Sequence, residues 1–211
     1  MIKKGLFIVV EGIDGSGKTT QIKNLYEYLT SKGIPTTVTR EPGGTVIGEK
    51  IRDIVLDKAH KNMDAITEML LIAASRAQHV VEFISAKQKA GVTVICDRYV
   101  LSSYVYQGVA RGIELETVKK VNEYAMSGVI PDITFFINID NEESVKRRSE
   151  RQVNDRIENE DNAFHIKVCN GYREMVKHLD NVQIIDGMQK VENVTLDIVT
   201  HINKLIRRLD I

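Results

Sequence analysis

Leu6-Phe7-Ile8-Val9-Val10-Glu11-Gly12-Ile13-Asp14-Gly15-Ser16-Gly17-Lys18-Thr19-Thr20 is the stretch that decides the fold. A short apolar run, read as a strand, leads into Gly-x-x-x-x-Gly-Lys-Thr, matched by Gly12 to Thr19. Glycines let the backbone curl tightly and turn its N–H groups inward onto phosphate oxygens. A helix read from the spacing of Ile22, Leu25, Tyr26 and Leu29 follows at once. Its N-terminal dipole adds to the attraction for an anion. In this context Lys18 is expected to reach the β and γ phosphates of a nucleoside triphosphate, and the Thr19 hydroxyl to ligate Mg²⁺. The loop speaks for the donor nucleotide and not for the acceptor. The same cradle serves GTPases, motor ATPases and small-molecule kinases. The chain has no Asn-Lys-x-Asp guanine-reading motif, and its 211 residues leave little room for motor machinery.

Outward from the loop, strand and helix patterns alternate. Gly33 fits a helix stop, and Thr36 to Thr39 reads as a second strand ending at the loop Arg40-Glu41-Pro42-Gly43-Gly44. A long helix is predicted from Asp64, its N-cap, to about Lys89, with Gly91 beyond it. Its expected apolar face is Ile66, Met69, Leu70, Ala73, Ala77, Val80, Val81 and Ile84. Val92 to Cys96 is a third strand, with Asp97-Arg98-Tyr99 at its exit. Helical patterns follow near 100–107 and 115–127, then a buried strand from Ile133 to Ile139. A charged helix runs into Arg147-Arg148-Ser149-Glu150-Arg151; Val182 to Ile185 gives a fifth strand, and the stretch from about Val191 is helical. Short apolar strands alternating with helices predict an α/β fold with a five-stranded parallel sheet covered on both faces. Ligands in such sheets gather at the carboxyl ends of the strands. The polar clusters 11–19, 40–44 and 97–99 each lie just after a strand. Asp97 there reads either as the acid that holds the metal's water shell or as a cap for the next helix.

Composition bounds the rest. Hydrophobic residues make up 43% of the chain, enough for a core, and the length suits a single domain over 1–211. Lys plus Arg balance Asp plus Glu, 29 against 29, which is unsuited to unspecific grip on nucleic acid or anionic membrane. No apolar run approaches the length of a membrane span. Two cysteines far apart, Cys96 and Cys169, and no signal-peptide pattern fit a reduced, cytoplasmic protein.

The chain resembles thymidylate kinases nearly from end to end. The motifs that carry this are Glu11 to Thr20, Thr39-Arg40-Glu41-Pro42-Gly43-Gly44-Thr45, Ala73-Ala74-Ser75-Arg76, Asp97-Arg98-Tyr99, Ser102-Ser103-Tyr104-Val105-Tyr106-Gln107-Gly108 and Pro131-Asp132-Ile133-Thr134. The resemblance implies a P-loop NTPase fold of the nucleoside monophosphate kinase type. It implies transfer of the γ-phosphoryl group of ATP to dTMP with Mg²⁺, giving dTDP for dTTP biosynthesis, by a homodimer. Position by position, it makes Gly12, Ile13, Asp14, Gly15, Ser16, Gly17, Lys18, Thr19 and Thr20 the ATP-binding loop. Arg40 and Arg98 become clamps on the acceptor phosphate, a task that suits planar guanidinium. Asp14 is matched to the deoxyribose 3′-hydroxyl and Arg76 to a thymine carbonyl. Ser103 and Gln107 meet the base edge, and Tyr106 crowds a ribose 2′-hydroxyl. Read without the motifs, Arg76 could equally be a solvated helix arginine, Tyr106 packed core and Arg40 an ordinary loop charge. One position departs from the pattern: Ile72 stands where the family usually stacks a Phe on thymine. Ile72 shares a helix face with Arg76 but offers no aromatic stacking.

Residues 146–161 are densely charged, which ordinarily marks a solvated face and here resembles the lid that closes over ATP. Some members carry an arginine in the phosphate loop directly after the acid, where this chain has Gly15. The bacterial-type arrangement supplies it from the lid, and alignment on Asp155-Arg156-Ile157-Glu158 puts Arg151 in that role. Lys18, Arg151 and Asp97 are thus the expected catalytic residues, with Thr19 and Asp97 at the metal. Two rivals stay open at this stage: a P-loop kinase for another nucleoside monophosphate, and a non-catalytic nucleotide-binding regulator.

Overall fold

Strand β1 (Phe7–Glu11) enters the phosphate loop, and α1 (Lys18–Ser31) leaves it. The computed structural model describes residues 4–149 and 155–209. After α1 come β2 (Thr36–Arg40), α2 (Val46–Leu56), α3 (Ala65–His79) and α4 (Ser85–Lys89), then β3 (Thr93–Asp97), α5 (Val100–Ser103) and α6 (Leu115–Met126). β4 (Ile133–Asn138), α7 (Asn141–Ser149), α8 (Asn162–Met175), β5 (Val182–Asp186) and α9 (Val191–Leu209) complete the order. Val80–Ile84 between α3 and α4, and Tyr104–Ala110 after α5, are π-helical.

The five strands pair in parallel in the order β2-β3-β1-β4-β5, so β1 is central. Alternation along β1 sorts its side chains to two faces. Ile8 and Val10 pack with Ile22, Leu25 and Leu29 of α1 and Ile198 and Ile202 of α9. Phe7 and Val9 pack with Val80, Ile84 and Tyr99 on the other side. Each such buried side chain contributes about 1.5–3 kcal/mol of transfer free energy. Register brings the strand exits level: Val10 is opposite Asp97, and Arg40 is opposite Asp97 on the other side of β3. The α/β reading and all five expected strands are present within a residue or two at each end.

Three features differ from the expectations. Helices α2 and α8 were not anticipated. The predicted helix from Asp64 exists, and Asp64 caps it by accepting from the backbone N–H groups of Ile66 and Thr67. Its expected apolar face, however, splits. Met69, Ala73, Val80 and Ile84 are buried, whereas Ile66, Leu70 and Val81 are exposed. Glu68, Ser75, Arg76 and His79 are buried instead. The helix turns a polar stripe inward to build a site, and the π-helical turn at 80–84 shifts the phase of the residues beyond it.

Candidate active site

The phosphate loop is shaped by Gly12, Gly15 and Gly17, all at positive φ. Gly12 has φ 149°, and a Cβ there would lie 2.7 Å from Ser16 Oγ and 2.8 Å from the Ile137 carbonyl oxygen. Gly15 has φ 83°, and its Cβ would press on the Ser144 carbonyl oxygen at 3.1 Å and Arg147 Cβ at 3.3 Å. An arginine at position 15 would strain the backbone and crowd α7 in this chain. Gly17, also left-handed, starts α1 with no side-chain cap, whereas α2, α3 and α8 are capped by Thr45, Asp64 and Asp161. The first N–H groups of α1 are thus left for an anion.

Lys18 folds back on this loop. Its Nζ donates to the carbonyls of Gly12 and Ile13 at 2.9 and 3.2 Å and lies 4.0 Å from Asp14 Oδ1. Burial pushes the ammonium pKa down from its ordinary value, and Arg98 adds to this against Asp97, Asp14 and Glu11. Thr19 is exposed at the mouth of the loop, with Thr20 beside it. Asp97 Oδ1 and Ser16 Oγ are buried with no hydrogen-bond partner among the described residues. Such orphaned polar atoms are costly, and an orphaned carboxylate oxygen fits a divalent cation that keeps most of its own waters. Among the described residues no group of three or more His, Cys, Asp or Glu forms a cage that could hold a metal, so such an ion would lean on phosphate.

Across the cleft stands Arg98, non-glycine yet at φ 68°. Residues held in this region cost about 1–3 kcal/mol and need surrounding structure to fix them. Glu11 supplies it. Its fully buried carboxylate accepts from the backbone N–H groups of Tyr99 and Ser102, from Ser102 Oγ and from Tyr172 OH, at 2.7 to 3.1 Å. Burial pushes the Glu11 pKa up, and Arg98 with these hydrogen bonds only partly opposes it. Arg98 in turn donates to Tyr172 OH at 3.0 Å and to Asp14 Oδ1 at 2.6 Å, and its guanidinium lies over the Tyr106 ring. Tyr106 OH donates to Asp14 Oδ2 at 3.3 Å. Burial alone would raise the Asp14 pKa; Arg98 and then Lys18 overcome it and hold the carboxyl well below the usual range.

Arg76 is 1% exposed, so the solvated-arginine reading is wrong. Its Nε donates to Glu41 Oε2 at 2.7 Å, NH1 to Ser103 Oγ at 2.9 Å and to Asn122 Oδ1, and NH2 to the Tyr99 carbonyl at 3.0 Å. His79 Nδ1 approaches the other oxygen of Glu41 at 3.0 Å, and its Nε2 meets Thr39 Oγ1 at 2.7 Å. One buried carboxylate at the exit of β2 thus orients two basic groups of α3.

A single cleft is lined by Asp14, Gly15, Gly17, Lys18 and Thr19 on the donor side. Arg40, Ile72, Arg76 and Asp97 line it further on, with Arg98, Ser103, Tyr106 and Gln107. Gly12, Ile13, Ser16 and Thr20 do not line the cleft; the first three are buried behind it. Arg151 lies outside the described residues. Arg40 is exposed and paired to Glu49 of α2 at 2.7 Å. The sequence reading missed Glu11, Glu41 and Tyr172 as organisers, and it missed Arg52. Arg52 lines the cleft and donates to the Pro42 carbonyl at 2.9 Å. Its signal was available: Ile47, Ile51, Ile54 and Val55 recur at helical spacing around it.

A phosphate loop at the central strand of a parallel sheet, facing arginines across one cleft, defines a P-loop phosphotransferase of the nucleoside monophosphate kinase type. The model of the thymidylate kinase family matches residues 10–198. The chain is similar to thymidylate kinases of Thermoanaerobacter sp. (strain X514), 52% identical over 204 residues that cover 96% of this chain and 100% of the other. Those of Finegoldia magna (47%, covering 90% and 93%) and Clostridium novyi (45%, covering 92% and 96%) are similar as well. The chain belongs to the thymidylate kinase family, and it is an enzyme of nucleotide phosphoryl transfer.

Proposed function

We propose that the chain transfers the γ-phosphoryl group of ATP to dTMP, giving dTDP for dTTP synthesis. The observation that carries this reading is the cleft itself, in which Lys18 at the donor end faces Arg98, Arg76 and Gln107 at the acceptor end. The uncapped start of α1 and the loop amides hold the donor phosphates. Arg40 and Arg98 hold the acceptor phosphate in line, and Asp14, beside Arg98 and Tyr106, takes the sugar hydroxyl. Ile72, Arg76, Ser103 and Gln107 receive the base, and Tyr106 closes on the sugar. Lys18 turns from the loop carbonyls to the transferred group, and Arg151 adds positive charge from the lid, about residues 146–161. Positioning and electrostatics supply most of the acceleration. Mg²⁺ at Thr19 and Asp97 neutralises phosphate charge when bound.

A coupled assay of ADP release with dTMP, dUMP, TMP, dCMP and dAMP tests the reading, with dTMP expected to give the highest kcat/KM. No turnover with dTMP, or an equal response to all acceptors, overturns it. In the same assay Arg151→Ala is expected to lower kcat well beyond threefold; a smaller change, under about 1 kcal/mol of barrier, removes Arg151 from its role. A homodimer is proposed on Ile47 and Ile54 of α2 and Ile66 and Leu70 of α3, which stand exposed on neighbouring helices. A reducing cytoplasm suits the two buried free thiols, Cys96 and Cys169. Among the described residues no helix is long and apolar enough to cross a membrane.

A further inference from the structure

Glu68 lies on α3, two turns before Arg76, and takes no part in the roles above. It is 1% exposed, yet its carboxylate is surrounded by donors. Oε1 accepts from Gln107 Nε2 at 3.0 Å and from Arg111 Nε at 3.1 Å. Oε2 accepts from Arg111 NH2 at 3.0 Å and from Arg156 NH2 at 2.6 Å. Burial would raise the Glu68 pKa; Arg111, Gln107 and Arg156 overcome it and hold the carboxyl below its ordinary value. An ionised carboxylate only accepts, so it can face only the NH₂ end of an amide. The Gln107 oxygen is therefore the end left for a ligand, and Gln107 lines the cleft beside Arg76 and Ser103.

Arg76 supplies the complementary half. Four of the guanidinium's five N–H donors already have partners in Glu41, Ser103, Asn122 and the Tyr99 carbonyl. One N–H on NH2 is left to meet a single carbonyl. A donor beside an acceptor fits the neighbouring carbonyl and N–H of a thymine or uracil edge. Cytosine presents the reverse, an amino donor beside a bare ring nitrogen. Turning the Gln107 amide would relieve half of that mismatch.

We propose that Glu68 is a positioning residue that prevents this turn, so that the cleft selects acceptor bases offering a carbonyl next to an N–H. The proposal rests on the acceptor reading given above. Glu68→Gln keeps the shape but can donate or accept, which frees the Gln107 amide. Wild type and variant are compared with dTMP and dCMP at saturating ATP, with folding checked by thermal melting. The ratio of kcat/KM for dTMP over dCMP is expected to fall tenfold or more in the variant, about 1.4 kcal/mol. A purely structural role lowers both acceptors alike, so a folded variant whose ratio stays within twofold of wild type overturns the proposal. Should the single variant fail to fold, the charge-balanced pair Glu68→Gln with Arg111→Gln is read in the same way. A wild type that prefers dTMP while the variant's ratio is unchanged rejects only the role of Glu68. A wild type inactive on dTMP rejects the acceptor reading, and this inference with it.

Discussion

The two ends of the cleft are built on opposite terms. At the acceptor end Arg76, Glu41, His79, Ser103 and Asn122 are buried and bonded to one another, and that wall is held in place without a ligand. At the donor end Ser16 Oγ and Asp97 Oδ1 have no partner, α1 starts uncapped, and Lys18 is parked on its own loop carbonyls. The difference teaches where each end draws its order. A base is recognised by few contacts, so the groups that read it must be held before it arrives. Phosphates bring their own charge and can order the loop as they bind.

The strongest way to break this contrast is Glu41→Ala. It leaves the buried Arg76 charge without its carboxylate, a change worth about 3–5 kcal/mol. Denaturant melts are expected to show a loss of that size, together with weaker dTMP binding. A loss under about 1 kcal/mol would mean that the acceptor wall is not held by this pair. The donor end should respond in the opposite way. Lys18→Ala leaves Asp14 with its shorter pair to Arg98 at 2.6 Å, and melts should change less than in Glu41→Ala. Its kcat should fall about 10²–10³-fold, the range for removing one preorganised donor from a transition state. A large loss of stability with intact kcat would reverse the assignment.

The same contrast explains what could be read in the sequence. The phosphate loop is local: a strand, a glycine turn and a helix within Leu6 to Leu29, so spacing alone exposes it. The acceptor wall is not local. Glu41 and Arg76 are separated by 35 positions and Arg76 and Asn122 by 46, and no periodicity joins them. Family motifs put Arg76 in the site, but nothing in them marks Glu41 or Asn122 as its partners. Helix α2 carries a helical pattern, yet it follows a glycine-rich loop and leaves Ile47 and Ile54 outside the core. Helix α8 repeats Phe164, Val168, Tyr172 and Met175 at helical spacing, but the preceding charge run hid its start. With it went Tyr172, whose hydroxyl bonds to Glu11, 161 positions away.

Between the two ends sits Asp14, and pH sharpens the comparison there. Its folded pKa is depressed by Arg98 and Lys18, against the pull of burial. Its stabilisation is therefore complete above the unfolded carboxyl pKa of about 3.9 and is lost as pH falls through the folded value. Asp14→Asn should lower stability near neutral pH by about 1.5–3 kcal/mol, the range for hydrogen bonds to a charged group. Melts repeated from pH 7 down through pH 3 should show the gap between variant and wild type constant to about pH 4 and narrowing below it. A gap independent of pH would mean that Asp14 is not held ionised by its cationic neighbours.

The smallest effect concerns an apolar residue of the wall. Ile72 is buried on α3, one turn before Arg76, and lines the cleft. On the proposed reading it presses on the base with aliphatic carbon, where the family usually presents an aromatic face. Arg76 and its partners are bonded to one another, so a ring at position 72 is expected to meet the base without reorganising the groups that read it. Stacking adds about 0.5–1.5 kcal/mol beyond the area buried. Ile72→Phe is therefore expected to tighten dTMP binding by up to about tenfold, read by calorimetry, with kcat little changed. Unchanged or weaker binding would show that the wall has no room for the ring, and that Ile72 sets the depth of the base pocket.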